Sequence, residues 1–476
     1  MTAERFKCYL VTRDHSGKVS AGIAEKSLDD LPEGEVLVRV AYSSLNYKDA
    51  LAAEGHPGVA RVFPHVPGVD LAGVVASSGV YEWVEGDRVL ATGFDLGASR
   101  WGGYAEYTRV PQDWIVPLPE GLTLRESMIL GTAGFTAGLC VDALQKHDVS
   151  PENGEIVVTG ASGGVGSMAV AILAKLGYHV AAVTGKETAH EYLQGLGAER
   201  ILDRGEVDDR SGRPMLHGRW AGAVDTVGGN ILTTILRSTR HDGCVAACGL
   251  TAGDGLTMTV YPFILRGLSL AGIDAAWGPV PLRHEIWRRL AGPWKPRRLE
   301  RMAQRTDLSG LPEKIREIRA GKITGRVVVE IGGEPHGRSP MHEIFEHTAD
   351  LGLRIRADDL DGLFAEAARA MFSAIVTNLG QVHPRQTVSL QLEGDRHDEL
   401  LRDWLGELLY AFHADHMLFC EFEVRLTDTG LTATARGESI DTGRHEIDAE
   451  LKAVTYHGLK LQREGEGWLA EVIVDI

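Results

Sequence analysis

Apolar residues along this chain follow more than one period, and the changes divide it. Residues 1–126 carry short strand-like runs such as Glu35-Val-Leu-Val-Arg-Val40 and Leu71-Ala-Gly-Val-Val-Ala76, broken by glycine and proline. That pattern predicts a compact β-rich region. From residue 127 to 270, short apolar runs alternate with helical spacing, which predicts parallel strands joined by helices. The sharpest case is the apolar run Ile156-Val-Val-Thr159, then Gly160-Ala-Ser-Gly-Gly-Val-Gly-Ser167, then a helical run over 168–177, then Val180-Ala-Ala-Val-Thr184. Strand, glycine turn, helix and strand make a βαβ unit of about 30 residues. Residues 271–332 return to helix and strand and rejoin the first region. A β-rich domain interrupted by a parallel α/β domain is the architecture these periods predict.

The pattern stops at Gly332-Gly-Glu-Pro-His-Gly-Arg-Ser-Pro340, which has no periodicity and reads as a linker over 333–340. Met341 comes next, like the retained start of a once-separate chain. Residues 341–476 open with strand-like runs, among them Leu351-Gly-Leu-Arg-Ile-Arg356. Helical spacing is expected over 359–379 and from Asp398 to about His413, and strands dominate after that. This is a small α+β domain with no βαβ unit.

Composition adds a division by charge. The chain has 476 residues and a net charge of −17, with 26 acidic against 12 basic residues in 341–476. The last third therefore carries −14 of the total. Acidity of this degree argues against direct nucleic-acid binding and fits a divalent cation or a basic partner. Five scattered cysteines give neither a disulfide framework nor a zinc knuckle, so a reducing cytoplasm is expected. Cys244 and Cys248 lie in an apolar run and read as core. No uninterrupted apolar run reaches transmembrane length, and no membrane association is expected.

The glycine turn carries the first chemistry. Gly160, Gly163 and Gly166 permit a tight turn and close approach of a pyrophosphate, with the helix amides from about Gly164 facing the anion. An NAD site ordinarily has a carboxylate at the end of the second strand. Here that strand ends in Thr184-Gly185-Lys186, and Lys186 and Arg204 can neutralise a 2′-phosphate. NADPH is the expected cofactor.

Stretches spread over the first 332 residues carry a resemblance. They include Ser44-Leu-Asn-Tyr-Lys-Asp-Ala50, Pro67-Gly-Val-Asp-Leu-Ala-Gly73, Trp101-Gly-Gly-Tyr104, Ile129-Leu-Gly-Thr-Ala-Gly-Phe-Thr-Ala137, Trp220-Ala-Gly-Ala-Val-Asp-Thr-Val-Gly228 and Pro262-Phe-Ile-Leu-Arg266. This part resembles the acryloyl-CoA reductase (AcuI/YhdH-type) group of zinc-free medium-chain dehydrogenases/reductases. The resemblance implies a GroES-like catalytic domain, 1–126 plus 271–332, holding a Rossmann domain, 127–270. It implies reduction of an activated C=C bond, acryloyl-CoA to propanoyl-CoA, and a homodimer formed through this part. It places Tyr47, Ser162, Gly163, Gly164, Val165, Arg204, Leu250 and Ile264 near the cofactor. Zinc-dependent members have Cys where this chain has Asn46, and Gly-His-Glu where it has Gly68-Val69-Asp70, so zinc is not expected. Tyr47 reads as an acid or oxyanion donor, or as a residue that only contacts the cofactor. Asn46, Asp49 and Asp70 are the other polar candidates, and Asp70 either orients a neighbour or caps a turn. Arg326 reads as a phosphate contact or a surface ion-pair residue. Ala275 stands where relatives commonly have Ser.

Residues 341–476 resemble archease, on Phe345-Glu-His-Thr-Ala-Asp350, Asp403-Trp-Leu-Gly-Glu-Leu-Leu-Tyr410, Glu450-Leu-Lys-Ala-Val-Thr-Tyr-His-Gly458 and Val474-Asp-Ile476. The resemblance implies activation of an RtcB-type RNA ligase in tRNA splicing or RNA repair. It also implies a metal site of Asp350, Asp475 and the terminal carboxylate of Ile476. Oxygen donors of this kind suit Ca²⁺, Mg²⁺ or Mn²⁺. His347, Lys452 and His457 either support that site or pack, and Asp403 and Glu407 either add acidity or are surface charge. A bifunctional fusion is the leading expectation. A quinone oxidoreductase with a passenger archease domain, and an archease with a scaffolding reductase domain, are the alternatives.

Overall fold

The computed structural model describes residues 5–332, 342–347, 350–357, 359–376, 379–427, 429–445, 447, 451–455, 458–464 and 467–475. The chain divides into two compact units, residues 1–337 and 338–476. The expected linker over 333–340 lies outside the described residues.

The first unit holds a six-stranded parallel sheet in the order Arg200–Leu202, Val180–Val183, Ile156–Val158, Trp220–Asp225, Thr239–Ala247, Ser269–Gly272. The glycine-turn strand is thus central, and the order reverses direction beside it. Its core is the apolar set the runs predicted: Ile156, Val157, Val158, Val180, Ala181 and Ala182 are buried. Around it, strands from both ends of the unit join a second sheet, with Arg326–Glu330 antiparallel to Val36–Ser44, and Val36–Ser44 antiparallel to Asp70–Ser78. These pairings bring the end of one strand (Ser44) and the starts of two others (Asp70 and Arg326) to one edge.

The helix Leu124–Lys146 runs past that edge. Its start is set by reciprocal capping: Glu126 N donates to Thr123 Oγ1 and Thr123 N to Glu126 Oε2, both at 3.0 Å. It is long and apolar enough to cross a membrane by length and composition, although no uninterrupted apolar run marks it in the sequence. The apolar stretch is 89% buried, so its hydrophobicity is answered by the protein core. Gly131 breaks the helix at φ 51°, ψ −157°. A Cβ there would sit 2.6 Å from Asp70 Oδ2, 2.8 Å from Arg326 Nη2 and 2.8 Å from Ser44 Oγ. Only glycine fits both the dihedrals and the space.

The second unit packs the helices Leu360–Ile375 and His397–Asp415 with two sheets. One sheet runs His342–His347, Asp350–Ala357, Gly467–Asp475, Ala453–Val454, and Lys460–Glu464 also pairs with Gly467–Asp475. The other is the antiparallel trio Gln386–Glu393, Gly430–Ser439, Met417–Thr427. Leu363, Phe364, Leu401, Trp404, Leu405 and Leu408 are buried at the helical spacing read from the sequence, and Trp404 Nε1 donates to the Phe364 carbonyl at 3.0 Å. The first helix stops at Ile375 rather than at 379.

Gly131→Ala is expected to destabilise the first unit by at least about 2 kcal/mol, from backbone strain and the clash with Asp70. Gly195→Ala, at a helical glycine whose added Cβ would meet nothing within 4 Å, is the control and should be neutral or mildly stabilising. Denaturant titration reads both. An unchanged midpoint for Gly131→Ala contradicts this account of the kink.

Candidate functional site

Two clusters of polar groups meet in the first unit. The first is buried, with Asp70 at its centre. Its Oδ2 accepts from Ser44 Oγ at 2.5 Å and from Asn46 Nδ2 at 2.7 Å. Its Oδ1 accepts from Thr132 Oγ1 at 2.5 Å, and Thr132 N lies 3.1 and 3.0 Å from the two oxygens. Arg326 Nη2 stands 3.9 Å away. The remaining reach of Arg326 goes to Ser44 Oγ at 2.7 Å, the Ile129 carbonyl at 3.0 Å, and the Leu45 carbonyl and Asn46 Oδ1 at 3.2 Å each. Each carboxylate oxygen thus accepts side-chain and backbone donors inside the protein.

Asp49 is the second buried carboxyl of this cluster. It accepts the amides of Asn46 at 2.8 Å, Val69 at 2.8 Å and Gly68 at 3.1 Å, which ties the helix Tyr47–Ala53 to the Gly68 turn. Burial, and then repulsion from Asp70, push its pKa up to about 7. Burial likewise drives the Tyr104 phenol well above its ordinary value, with Asp49 and Asp70 adding to it. It lowers that of Arg326 against the pull of Asp70 and Asp49.

The second cluster surrounds the glycine turn. Gly163 caps the helix Gly164–Lys175. Gly160 has φ 56°, and a Cβ there would lie 2.3 Å from Thr226 Oγ1. A Cβ on Gly166 would lie 2.4 Å from the Gly160 carbonyl, so the third glycine lets the helix close on the strand. Thr184 Oγ1 donates to Ser162 Oγ at 3.0 Å and accepts Lys186 N at 3.2 Å. Arg204 lies over Gly185, its Nε 2.8 Å from where a Cβ would be. Lys186 Nζ donates to the Ile323 carbonyl at 2.6 Å. Burial, and then Arg204, lower the Lys186 pKa. Ser162, Thr184, Gly185, Lys186 and Arg204 therefore converge at the end of the second strand. Val165 is partly buried beside them.

A cleft of about 230 Å³ adjoins the Asp70 cluster. Asn46, Lys48, Val69 and Thr132 line it. Cys248, Ile273, Asp274 and Ala275, which follow the last two strands of the parallel sheet, line it as well.

Several expectations need correction. Arg326 is not a surface ion-pair residue; it is 3% exposed and its donors are spent on protein acceptors. Asp70 does not merely cap a turn. Tyr47 is 45% exposed and is not among the cleft-lining residues; its hydroxyl accepts from Arg319 Nη1, whose guanidinium also lies 4.9 Å from the ring centroid. The expected cofactor contacts at Tyr47, Leu250 and Ile264 stay compatible with the structure, Leu250 and Ile264 being 67% and 68% exposed. Cys248 is only partly buried and lines the cleft, whereas Cys244 is core as expected. Ser44 and Thr132 join the site although sequence reasoning does not single them out; both stand inside the quoted motifs. Nothing local in the sequence marks Asp70 as the partner they share.

In the second unit the strand register pairs Leu351 with Val474, one step in from Asp350 and Asp475. On the other side Asp475 pairs with Ala453. The strand ends thus bring these two positions together. The side chain of Asp350, and Ile476 altogether, lie outside the described residues, as do the His347 side chain and His457.

Comparison with known proteins agrees with both units. The archease protein family model matches residues 342–476, the alcohol dehydrogenase GroES-like domain model 32–120, and the zinc-binding dehydrogenase model 164–280. The acrylyl-CoA reductase AcuI of Ruegeria pomeroyi is 47% identical over 327 residues, covering 68% of this chain and 99% of that one. The archease of Methanopyrus kandleri is 43% identical over 141 residues, covering 29% of this chain and 99% of that one. Among solved structures, Escherichia coli K-12 YhdH with bound NADPH matches with a TM-score of 0.66 at 47% identity, covering 68% of this chain and all of that one. Bacillus subtilis YhfP with bound NAD matches with a TM-score of 0.68 at 43% identity, covering 69% and all respectively. The chain therefore belongs to two families in succession, the acrylyl-CoA reductases of the GroES-like and Rossmann-fold dehydrogenases over its first two thirds and the archeases over its last third.

Proposed function

We propose that the first unit reduces the C=C bond of a short enoyl thioester, acryloyl-CoA to propanoyl-CoA, with NADPH. The observation that carries this reading is the small cleft beside the buried Asp70 cluster, in a unit that also holds a glycine turn of the phosphate-binding kind. Gly160, Ser162, Gly163, Gly164, Val165 and Gly166 would hold the pyrophosphate, and Thr184, Gly185, Lys186 and Arg204 the 2′-phosphate. Bound NADPH would supply the hydride for the β-carbon of the thioester, and solvent would supply the proton that the α-carbon takes up. The chain's own part is to orient the thioester and to hold charge near its carbonyl. Lys48 offers a cleft-lining donor, and Asn46 and Thr132, fixed by Asp70, keep that wall in place. Asp49 lies behind this wall, Arg326 supports it, and Tyr47, Leu250 and Ile264 would lie near the cofactor.

Zinc does not fit this site. The oxygens of Asp70 already accept from Ser44, Asn46 and Thr132, with Arg326 3.9 Å away, and Asn46 brings no soft donor. No step in the reduction is drawn through a metal.

A homodimer through the first unit is supported by an apolar strip. Leu256, Val260, Tyr261, Ile264 and Leu265 are exposed next to the sheet-edge strand Ser269–Gly272. Charging this strip with Val260→Glu and Leu265→Glu should turn a dimer into monomers in sedimentation. A monomeric parent protein overturns the assignment.

For the second unit we propose activation of an RtcB-type RNA ligase through a divalent cation held by Asp350, Asp475 and the terminal carboxylate of Ile476. The adjacent strand ends and their oxygen chemistry support a hard cation such as Ca²⁺, Mg²⁺ or Mn²⁺.

Purified protein should oxidise NADPH with acryloyl-CoA and use NADH at least about tenfold less well. Arg204→Ala should erase most of that preference, which a contact to the 2′-phosphate worth about 1.4 kcal/mol requires. Reduction of simple quinones without acryloyl-CoA contradicts the substrate. The chain should also stimulate guanylylation of a cognate ligase. Asp475→Ala or a chelator should abolish this while leaving NADPH oxidation intact; full stimulation by Asp475→Ala contradicts the metal reading.

A further inference from the structure

The lining of the cleft contains a residue that neither the sequence motifs nor the proposed chemistry uses. Phe94 lies just beyond the strand Arg88–Thr92 and lines the cleft. Its φ is +52°, a left-handed backbone that side chains other than glycine, asparagine and aspartate seldom adopt. Something must hold it there, and the surroundings show what does. Phe94 N donates to the Ala276 carbonyl at 3.0 Å. The ring stacks on Trp114 at 5.2 Å with planes 2° apart and meets Trp277 edge-on at 5.8 Å. The guanidinium of Arg283 lies 4.4 Å from its centroid.

Arg283 is itself buried and ties the end of that strand to the loop that carries Ala275 and Ala276. It donates to the Thr92 carbonyl at 2.8 Å and Thr92 Oγ1 at 3.0 Å at the strand end. On the loop it donates to the Ala275 and Ala276 carbonyls at 3.2 and 3.1 Å. Gly93 closes against the same segment, since a Cβ on it would lie 2.9 Å from the Ala275 carbonyl. A ring stacked on one neighbour, edged by another and capped by a cation cannot swing aside without breaking several contacts together. The space it leaves is small. Pockets that bury a drug-sized ligand run from about 300 to 1,000 Å³, and this cleft is about 230 Å³.

We propose that Phe94, clamped by Arg283 and Trp114, sets the acyl-chain length of this site and restricts it to short enoyl thioesters such as acryloyl. The proposal rests on the enoyl-thioester reading given above. A chain that extends beyond the β-carbon must run into a wall, and here the wall is a fixed aromatic ring. Specificity of this kind is steric: one methylene against a fixed pocket changes kcat/KM by roughly 10- to 200-fold.

The experiment is the kcat/KM of the full chain with NADPH for acryloyl-, crotonyl-, 2-hexenoyl- and 2-octenoyl-CoA. The unmodified chain should lose at least about tenfold by 2-hexenoyl-CoA. Phe94→Gly accepts the positive φ without strain and removes the ring. It should raise the 2-hexenoyl to acryloyl ratio by at least about tenfold. Phe94→Leu should shift the ratio in the same direction by less, and it serves in place of Phe94→Gly should that variant fail to fold. Equal use of acryloyl and 2-octenoyl thioesters by the unmodified chain, or an unmoved ratio in the variants, overturns the assignment of Phe94 alone. If the unmodified chain reduces none of the thioesters, the enoyl-thioester reading falls and this proposal falls with it.

Discussion

The first unit depends on a single buried ionic arrangement, the Asp70 carboxylate with Arg326 beside it and Ser44, Asn46 and Thr132 donating to it. Burying a carboxylate and a guanidinium is costly unless hydrogen bonds answer both, and here they do. The consequence is geometric. Three strand ends and a kinked helix must meet in one register, because removing any one donor leaves a charge without its partner. Gly131 is the backbone expression of the same requirement: a side chain there would occupy the space of the network. The cleft lining inherits its rigidity from this cluster. It inherits it also from the Arg283 clamp, which again fixes a strand end and a loop by filling backbone carbonyls with a buried cation.

The two clusters divide the work of a reductase. The glycine turn and the Thr184–Gly185–Lys186 segment present amides and cations, the chemistry of phosphate. The Asp70 cluster presents no open ligand and no soft donor. It is a scaffold for a wall of modest donors, suited to a reaction whose electrons come as a hydride and whose charge rests briefly on a carbonyl oxygen. In the second unit, strand register brings the positions of Asp350 and Asp475 together, and the proposed cation site rests on that. Charge follows the same division, since the last third of the sequence carries most of the chain's −17.

Local features are the legible ones. The βαβ unit can be read because strand, turn and helix are contiguous and their periods differ. The buried faces of the two long helices in the second unit can be read because a 3.6-residue period repeats over several turns. Asn46 and Asp70 stand out because each replaces a known type of ligand inside a motif. Their bond to each other cannot be seen, since it spans 24 residues and depends on strand register. A lone arginine at the start of a strand is usually exposed, so Arg326 reads as a surface residue. Its partners Asn46 and Ser44 lie 280 and 282 residues away in the sequence. Tyr47 draws attention as an aromatic next to Asn46, yet its helix position turns it toward Arg319 rather than into the cleft lining. Phe94 and Arg283 carry no sequence signature at all. Their importance arises from a strand end and a loop meeting in space.

The central claim is that hydride reaches the β-carbon of an enoyl thioester in the cleft beside the Asp70 cluster. It is tested most directly by isotope placement, with NADPH deuterated at the transferred position and acryloyl-CoA as acceptor. The account predicts propanoyl-CoA carrying one deuterium on its terminal carbon and none at the α-carbon, read by NMR. Propanoyl-CoA without deuterium at that carbon, or NADPH consumed with the thioester left unsaturated, would contradict it.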